Sequence, residues 1–284
     1  MPSADRAKQP VPKPLPLWWR VLRVFLIVYL LILLMMMWLE NSLIYFPAKY
    51  PSGWWNPRGL QFEDAEFAAD DGTQLHGWYL PGKDPQAVIL FCHGNAGNLT
   101  HRVDVMQDLP QYADASLLVF DYRGYGKSQG SPDEAGVLAD ARAARKWLAE
   151  RAGVAETDIV LWGESIGGAV AVDLAAEDGA RGLILENAFT SLPEVAAWHY
   201  PWLPVRWLMR GQLNSLAKIG RYHGPLLMVH GDADSVIPYS LGERLFSAAN
   251  EPKRFVTQPG ADHNDPRDEV FWNELREFLS RLPK

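Results

Sequence analysis

The chain has a single cysteine, Cys92, among its 284 residues. That excludes an intrachain disulfide and any metal site built from several cysteines. Its seven histidines show no HExxH or comparable metal-ligand spacing, so neither a metal nor another cofactor is expected. Positive charge is in deficit. The formal net charge is −7 and the globular part has no long basic run, which argues against a nucleic-acid partner. Internal repeats are missing, and low-complexity sequence is confined to residues 1–16. What is there, 48% apolar and 21% charged residues, suits a globular enzyme of one large or two small domains.

The N-terminus departs from that average. Residues 1–16 are Pro-rich and basic and read as disordered. An uninterrupted apolar run follows from Val24 to Leu39, enough for about 24 Å of helix. Extended back to Leu17, with Arg20 and Arg23 snorkelling toward headgroups, it reaches across a hydrocarbon core. Trp18, Trp19 and Trp38 suit the two interfaces. No small-x-small cleavage site follows Leu39, and the run is apolar all round, so a cleaved signal peptide and a buried core helix fit less well than a single-pass signal anchor over 17–39. Arg6, Lys8, Lys13, Arg20 and Arg23 precede the span and only Lys49 lies close behind it. The positive-inside rule then places the N-terminus in the cytoplasm and the catalytic domain outside it.

Residues 40–59 read as a Pro- and aromatic-rich linker that lies along the membrane surface or packs on the domain. From there to residue 284 a regular pattern holds. Phe62–Ala68 and Gln74–Leu80 alternate around Asp71-Gly72 as a β-hairpin. Further strands are expected at Ala87–Cys92, Ser116–Asp121, Asp158–Trp162, Gly182–Glu186, Leu226–His230 and Arg254–Gln258. Helical patterns fall at Thr100–Leu109, Pro132–Arg151, Ser165–Glu177, Ser240–Ala249 and Pro266–Leu282. Eight strands, the later six alternating with helices, predict an α/β fold with a mostly parallel sheet covered on both faces. One stretch, about 187–224, breaks the rhythm with prolines and aromatics. It reads as a short cap or cleft wall, or else as a plain helical connection.

The chemistry centres on Gly163-Glu164-Ser165-Ile166-Gly167, a G-x-S-x-G pattern between an apolar strand and an Ala-rich helix. Strand, sharp turn and helix make this a nucleophile elbow, in which a Cβ at either glycine would clash. A base is available at His263, in the loop after the last expected strand. Two carboxylates after Val229-His230-Gly231, Asp232 and Asp234, compete for the acid. His93, next to Gly94 in a turn, reads as structural or part of an oxyanion loop, His230 as a buried strand-end residue, and His76, His101, His199 and His223 lack a catalytic context. An oxyanion hole needs two backbone N–H groups. Ile166, after the nucleophile, supplies one. The loop His93-Gly94-Asn95-Ala96-Gly97-Asn98 supplies the other, with Asn95 the best donor and Ala96 next.

These segments, together with Asp121-Tyr122-Arg123-Gly124-Tyr125-Gly126, resemble the α/β-hydrolase fold superfamily over about residues 60–284. Within it they are similar to the branch of Bem46-like and alpha/beta hydrolase domain-containing 12, 13 and 17 proteins. The resemblance implies Ser165 as nucleophile, His263 as base and Asp234, rather than Asp232, as acid. It also implies membrane association and, in some relatives, lipid or acyl-thioester substrates. The expected function is a membrane-anchored serine hydrolase that cleaves carboxylic esters or thioesters of a small or lipid-like acyl substrate. Phe189, Trp198, Tyr200 and Trp202 in the insertion are candidates to bind it. A catalytically inactive binding module of the same fold runs against the presence of every triad type, and a serine peptidase against the shortness of the insertion.

Overall fold

The computed structural model describes residues 16–283. The basic stretch expected to be disordered therefore lies, but for Pro16, outside the described residues. The chain forms two compact units, one ending at Glu40 and one beginning at Asn41. The first contains helix α1 (Leu17–Trp38), with no buried residue. Its mean hydropathy of 2.6 makes it a candidate membrane span, and its 22 residues give about 33 Å of helix. A short helix, α2 (Glu40–Ile44), follows.

The second unit is built on one eight-stranded sheet. Its strands are β1 (Glu63–Ala68), β2 (Gln74–Leu80), β3 (Ala87–Cys92), β4 (Ala115–Asp121), β5 (Ile159–Glu164), β6 (Gly182–Glu186), β7 (Leu226–Gly231) and β8 (Lys253–Gln258). Their spatial order is β1-β2-β4-β3-β5-β6-β7-β8. β2 runs antiparallel to both of its neighbours, and every other pair is parallel. The hairpin turns at Gly72, whose φ of 84° is open to glycine. Asp71 holds the turn by accepting the Thr73 N–H at 3.0 Å.

The central strands are apolar on both faces because helices cover both. Period-2 alternation splits β3: Leu90 and Cys92 enter one core, Ile89 and Phe91 the other. Helices α4 (Glu134–Ala152), α5 (Ile166–Asp178) and α8 (Tyr239–Ala248) supply the first core, through residues such as Leu148, Val170 and Leu245. Helices α3 (Val103–Tyr112) and α9 (Glu269–Ser280) supply the second, through Met106, Leu109, Phe271 and Leu275.

All eight expected strands form, within a few residues of their expected ends. Helix starts differ more, because side chains set them. Asp133 accepts the Gly136 N–H at 2.7 Å and starts α4 two residues after the expected Pro132. Asp268 accepts the Phe271 N–H at 2.8 Å, so α9 begins at Glu269 rather than at Pro266. Asn98 caps a 3-10 turn over Leu99–Arg102, which takes the place of the first turn of the helix expected from Thr100. Residues 187–224 hold two short helices, α6 (Leu192–His199) and α7 (Val205–Leu208), and a 3-10 turn at Ile219–Arg221. Residues 41–59 pack on the rest of the second unit. Pro47 and Lys49 bridge in parallel to Gly97 and Gly126, and Asn98 Nδ2 donates to the carbonyls of Ala48 and Ser52.

Candidate active site

Ser165 occupies the turn from β5 into α5 at φ 54°, ψ −117°, a sparsely populated backbone region for a residue with a side chain. Two neighbours make that turn possible. A Cβ on Gly163 would sit 2.5 Å from Gly168 Cα, and one on Gly167 would run into the carbonyls of Cys92 and His93. The Ser165 N–H donates to the Glu186 carbonyl at 2.8 Å, which ties the turn to the end of β6.

Three side chains converge there from separate loops. His263, after β8, places Nε2 3.1 Å from Ser165 Oγ. Its Nδ1 lies 2.8 Å from Asp234 Oδ2, after β7. This spacing suits an Nδ1–H donor to Asp234 and leaves Nε2 to accept the Ser165 hydroxyl proton. Asp234 is oriented by its own turn, since Oδ1 accepts the N–H groups of Val236 at 2.9 Å and Ile237 at 2.7 Å. His230 Nε2, in the buried core below, stands 3.3 Å from Asp234 Oδ2. Burial alone would raise the Asp234 carboxyl. Hydrogen bonds from His230, His263 and the Ile237 amide outweigh it and hold the carboxyl well below its ordinary value. Asp232 faces elsewhere and accepts the Gly260 N–H at 2.6 Å.

The N–H groups of Asn95 and Ile166 donate to no other group among the described residues. Both residues line a cavity of about 820 Å³ that also contains Ser165 and His263. The backbone between the two glycines of the Asn95 loop bends through positive φ at Ala96 (47°) and Gly97 (78°). Phe189 and Tyr200 line the same cavity, but Trp198 and Trp202 do not. Those two are 55% and 64% exposed, on the outer side of the insertion. Helix α6 contributes Leu192, Val195 and Ala196 to the lining. Cys92 lies below the site, fully buried, and burial pushes its thiol up to about 12. Among the described residues no group of three His, Cys, Asp or Glu side chains could hold a metal ion.

Two supports were not read from the sequence. Asn187, at φ 45° just after β6, donates through Nδ2 to the His263 carbonyl at 2.9 Å and accepts the Gly231 N–H at 3.2 Å. Its signal was an Asn at a strand end, the residue type that best tolerates left-handed backbone. Arg267, four residues after His263, pairs with Glu186 at 2.9 Å, Glu164 at 3.2 Å and Asp104 at 3.1 Å. Arg102 adds a second cation 3.0 Å from Glu164. Burial would raise Glu164, but the two arginines outweigh it and lower its pKa. Glu186 is raised, because burial there exceeds the help from Arg267. No local pattern announces such a network, since its five members come from four separate segments.

The sequence matches the alpha/beta hydrolase fold family over residues 87–217. It is 42% identical to the Mycobacterium tuberculosis protein Rv2307c over 248 residues, 85% of this chain and 87% of that one. It is 30% identical to protein bem46 of Schizosaccharomyces pombe over 262 residues, 85% and 86% of the two chains. Among solved structures it is similar to the Pyrococcus furiosus esterase Pf2001, with a TM-score of 0.70 and 21% identity, covering 84% of this chain and 98% of that one. At that identity the likeness is one of fold.

Proposed function

This chain belongs to the alpha/beta hydrolase fold family, in its Bem46-like branch, and from that premise we propose that it is a membrane-anchored serine hydrolase acting on carboxylic esters or thioesters of apolar acyl groups. The observation that carries the reading is the hydrogen-bonded line Ser165–His263–Asp234, at 3.1 and 2.8 Å. The substrate carbonyl binds in the cavity over Ser165. His263 Nε2 takes the Ser165 hydroxyl proton as Oγ attacks the carbonyl carbon. Asp234, ionised, holds the imidazole tautomer and stabilises the imidazolium. The N–H groups of Ile166 and Asn95 receive the oxyanion. As the tetrahedral intermediate collapses, the leaving alcohol or thiol takes the proton from His263. Water, activated by the same imidazole, then releases the acid and restores Ser165.

The apolar lining from Phe189, Leu192 and Val195 supports an apolar acyl group. Helix α1 supports a membrane anchor, and the cations before it support a cytoplasmic N-terminus. The test is labelling with a fluorophosphonate together with hydrolysis of a nitrophenyl ester series. Wild type is expected to be labelled and to turn over esters. Ser165→Ala is expected to escape labelling and to lose about 10⁴-fold or more in kcat, with an unchanged circular dichroism spectrum. Turnover by the alanine variant at the wild-type rate would remove the assignment.

A further inference from the structure

The first residues of the second unit run past Ser165. Leu43, Ile44 and Phe46 line the same cavity as Ser165, Phe189 and Val195. Tyr45 between them is only 5% exposed, whereas Leu43 is 49% and Phe46 56% exposed. The segment is thus rooted by one aromatic side chain and turns apolar ones toward an open cavity. Its backbone is held as firmly. Asn95 Oδ1 accepts the Phe46 N–H at 3.1 Å, and Asn95 Nδ2 donates to the Ile44 carbonyl. The Tyr125 hydroxyl donates to the same Asn95 oxygen at 2.9 Å. Further on, the Gly97 N–H donates to the Phe46 carbonyl at 3.2 Å and the Ala48 N–H to the Gly97 carbonyl at 2.8 Å. A tether with no other task needs none of these bonds.

We propose that Leu43, Ile44 and Phe46 form the acyl-chain wall of the site, so that the peptide leading out of the apolar helix selects long apolar acyl groups over short ones. This rests on the ester-hydrolase reading of Ser165. Apolar side chains half open to solvent gain when a hydrocarbon chain covers them. An acetyl group offers such a wall a single methyl, whereas a longer chain adds apolar area with each methylene that lies along it. Asn95 gives the wall a second consequence: the residue whose backbone N–H faces the oxyanion also grips the wall with its side chain, so acyl chain and carbonyl are placed by one residue.

The experiment uses the full-length protein in detergent and compares wild type, the double variant Leu43→Ala/Phe46→Ala, and Leu43→Trp. Both side chains are about half exposed, so truncating them opens no buried void. The readouts are kcat/KM for p-nitrophenyl decanoate and p-nitrophenyl acetate, and the rate of fluorophosphonate labelling. The decanoate-to-acetate ratio is expected to fall at least about tenfold in the double variant, as for lost apolar contacts in a specificity pocket. Leu43→Trp, which fills the space instead, is expected to lower the ratio too. Normal labelling with a ratio within twofold of wild type in both variants would overturn the wall and leave Ser165 untouched. A wild type that is neither labelled nor active would overturn both.

Discussion

Asp232 and Asp234 hold different partners, and the roles proposed for them can be measured. Asp234 faces His263 at 2.8 Å, while Asp232 pins the Gly260 amide at 2.6 Å. Asp234→Asn replaces an acceptor with a group that favours the wrong imidazole tautomer, so kcat is expected to fall about 10³- to 10⁴-fold. Asp232→Asn keeps an oxygen for Gly260 and is expected to cost less than about tenfold. Steady-state kinetics on one nitrophenyl ester decide it, and a larger loss at position 232 would reverse the assignment. The residues alone left the two carboxylates open, because both follow the same strand by one or three positions. The turn gives the two different partners. The amides of Val236 and Ile237 occupy Asp234 Oδ1 and leave Oδ2 for the histidine. Ser165 and His263 were candidates from sequence because Gly163 and Gly167 flank Ser165 at two positions either side and His263 falls in the loop after the last strand. Asn187 was not, because its role depends on a backbone conformation that its neighbours in sequence do not announce.

Among the elements, the loop from His263 to α9 shows best where pattern reading stops. Apolar periodicity locates strands, since each side of β3 must match a core. It does not locate a helix start, which a capping side chain sets. The expected helix from Pro266 would have wound Arg267 into its first turn. Instead Asp268 caps, and Arg267 stays outside to meet Glu186, Glu164 and Asp104. Its side chain is 11% exposed, and those of Glu186 and Glu164 are 10% and 18% exposed. Removing the cation therefore leaves Glu186 without a paired cation, and Glu164 with Arg102 alone, in a poorly solvated place. Arg267→Met is expected to destabilise the fold by about 3–5 kcal/mol, read as a lower urea midpoint with an unchanged m-value. Arg267→Lys keeps the charge but loses the fork that reaches three partners, so an intermediate loss is expected. Equal midpoints for wild type and Arg267→Met would show that the network adds no net stability.

For the whole chain the variable to measure is the side of a membrane on which the chemistry proposed for Ser165 takes place. The charge pattern gives a definite expectation. Five cations, Arg6, Lys8, Lys13, Arg20 and Arg23, lie before or within the start of the span, against Lys49 shortly after it. Lys and Arg flanking a first span are retained on the cytoplasmic side. The protein itself offers a clean background for a labelling test, because its one cysteine, Cys92, is fully buried. Two single-cysteine additions then report on the two sides: Ser3→Cys before the helix and Lys146→Cys on the exposed face of α4. A membrane-impermeant maleimide applied to right-side-out vesicles is expected to label position 146 and not position 3, and inside-out vesicles to give the reverse. Labelling of position 146 only in inside-out vesicles would move the proposed hydrolysis to the cytoplasmic leaflet. A shortened chain lacking position 3 would show that α1 is removed as a signal peptide. The wall formed by Leu43, Ile44 and Phe46 would then sit at the start of a free protein, and its acyl preference would be read on soluble esters.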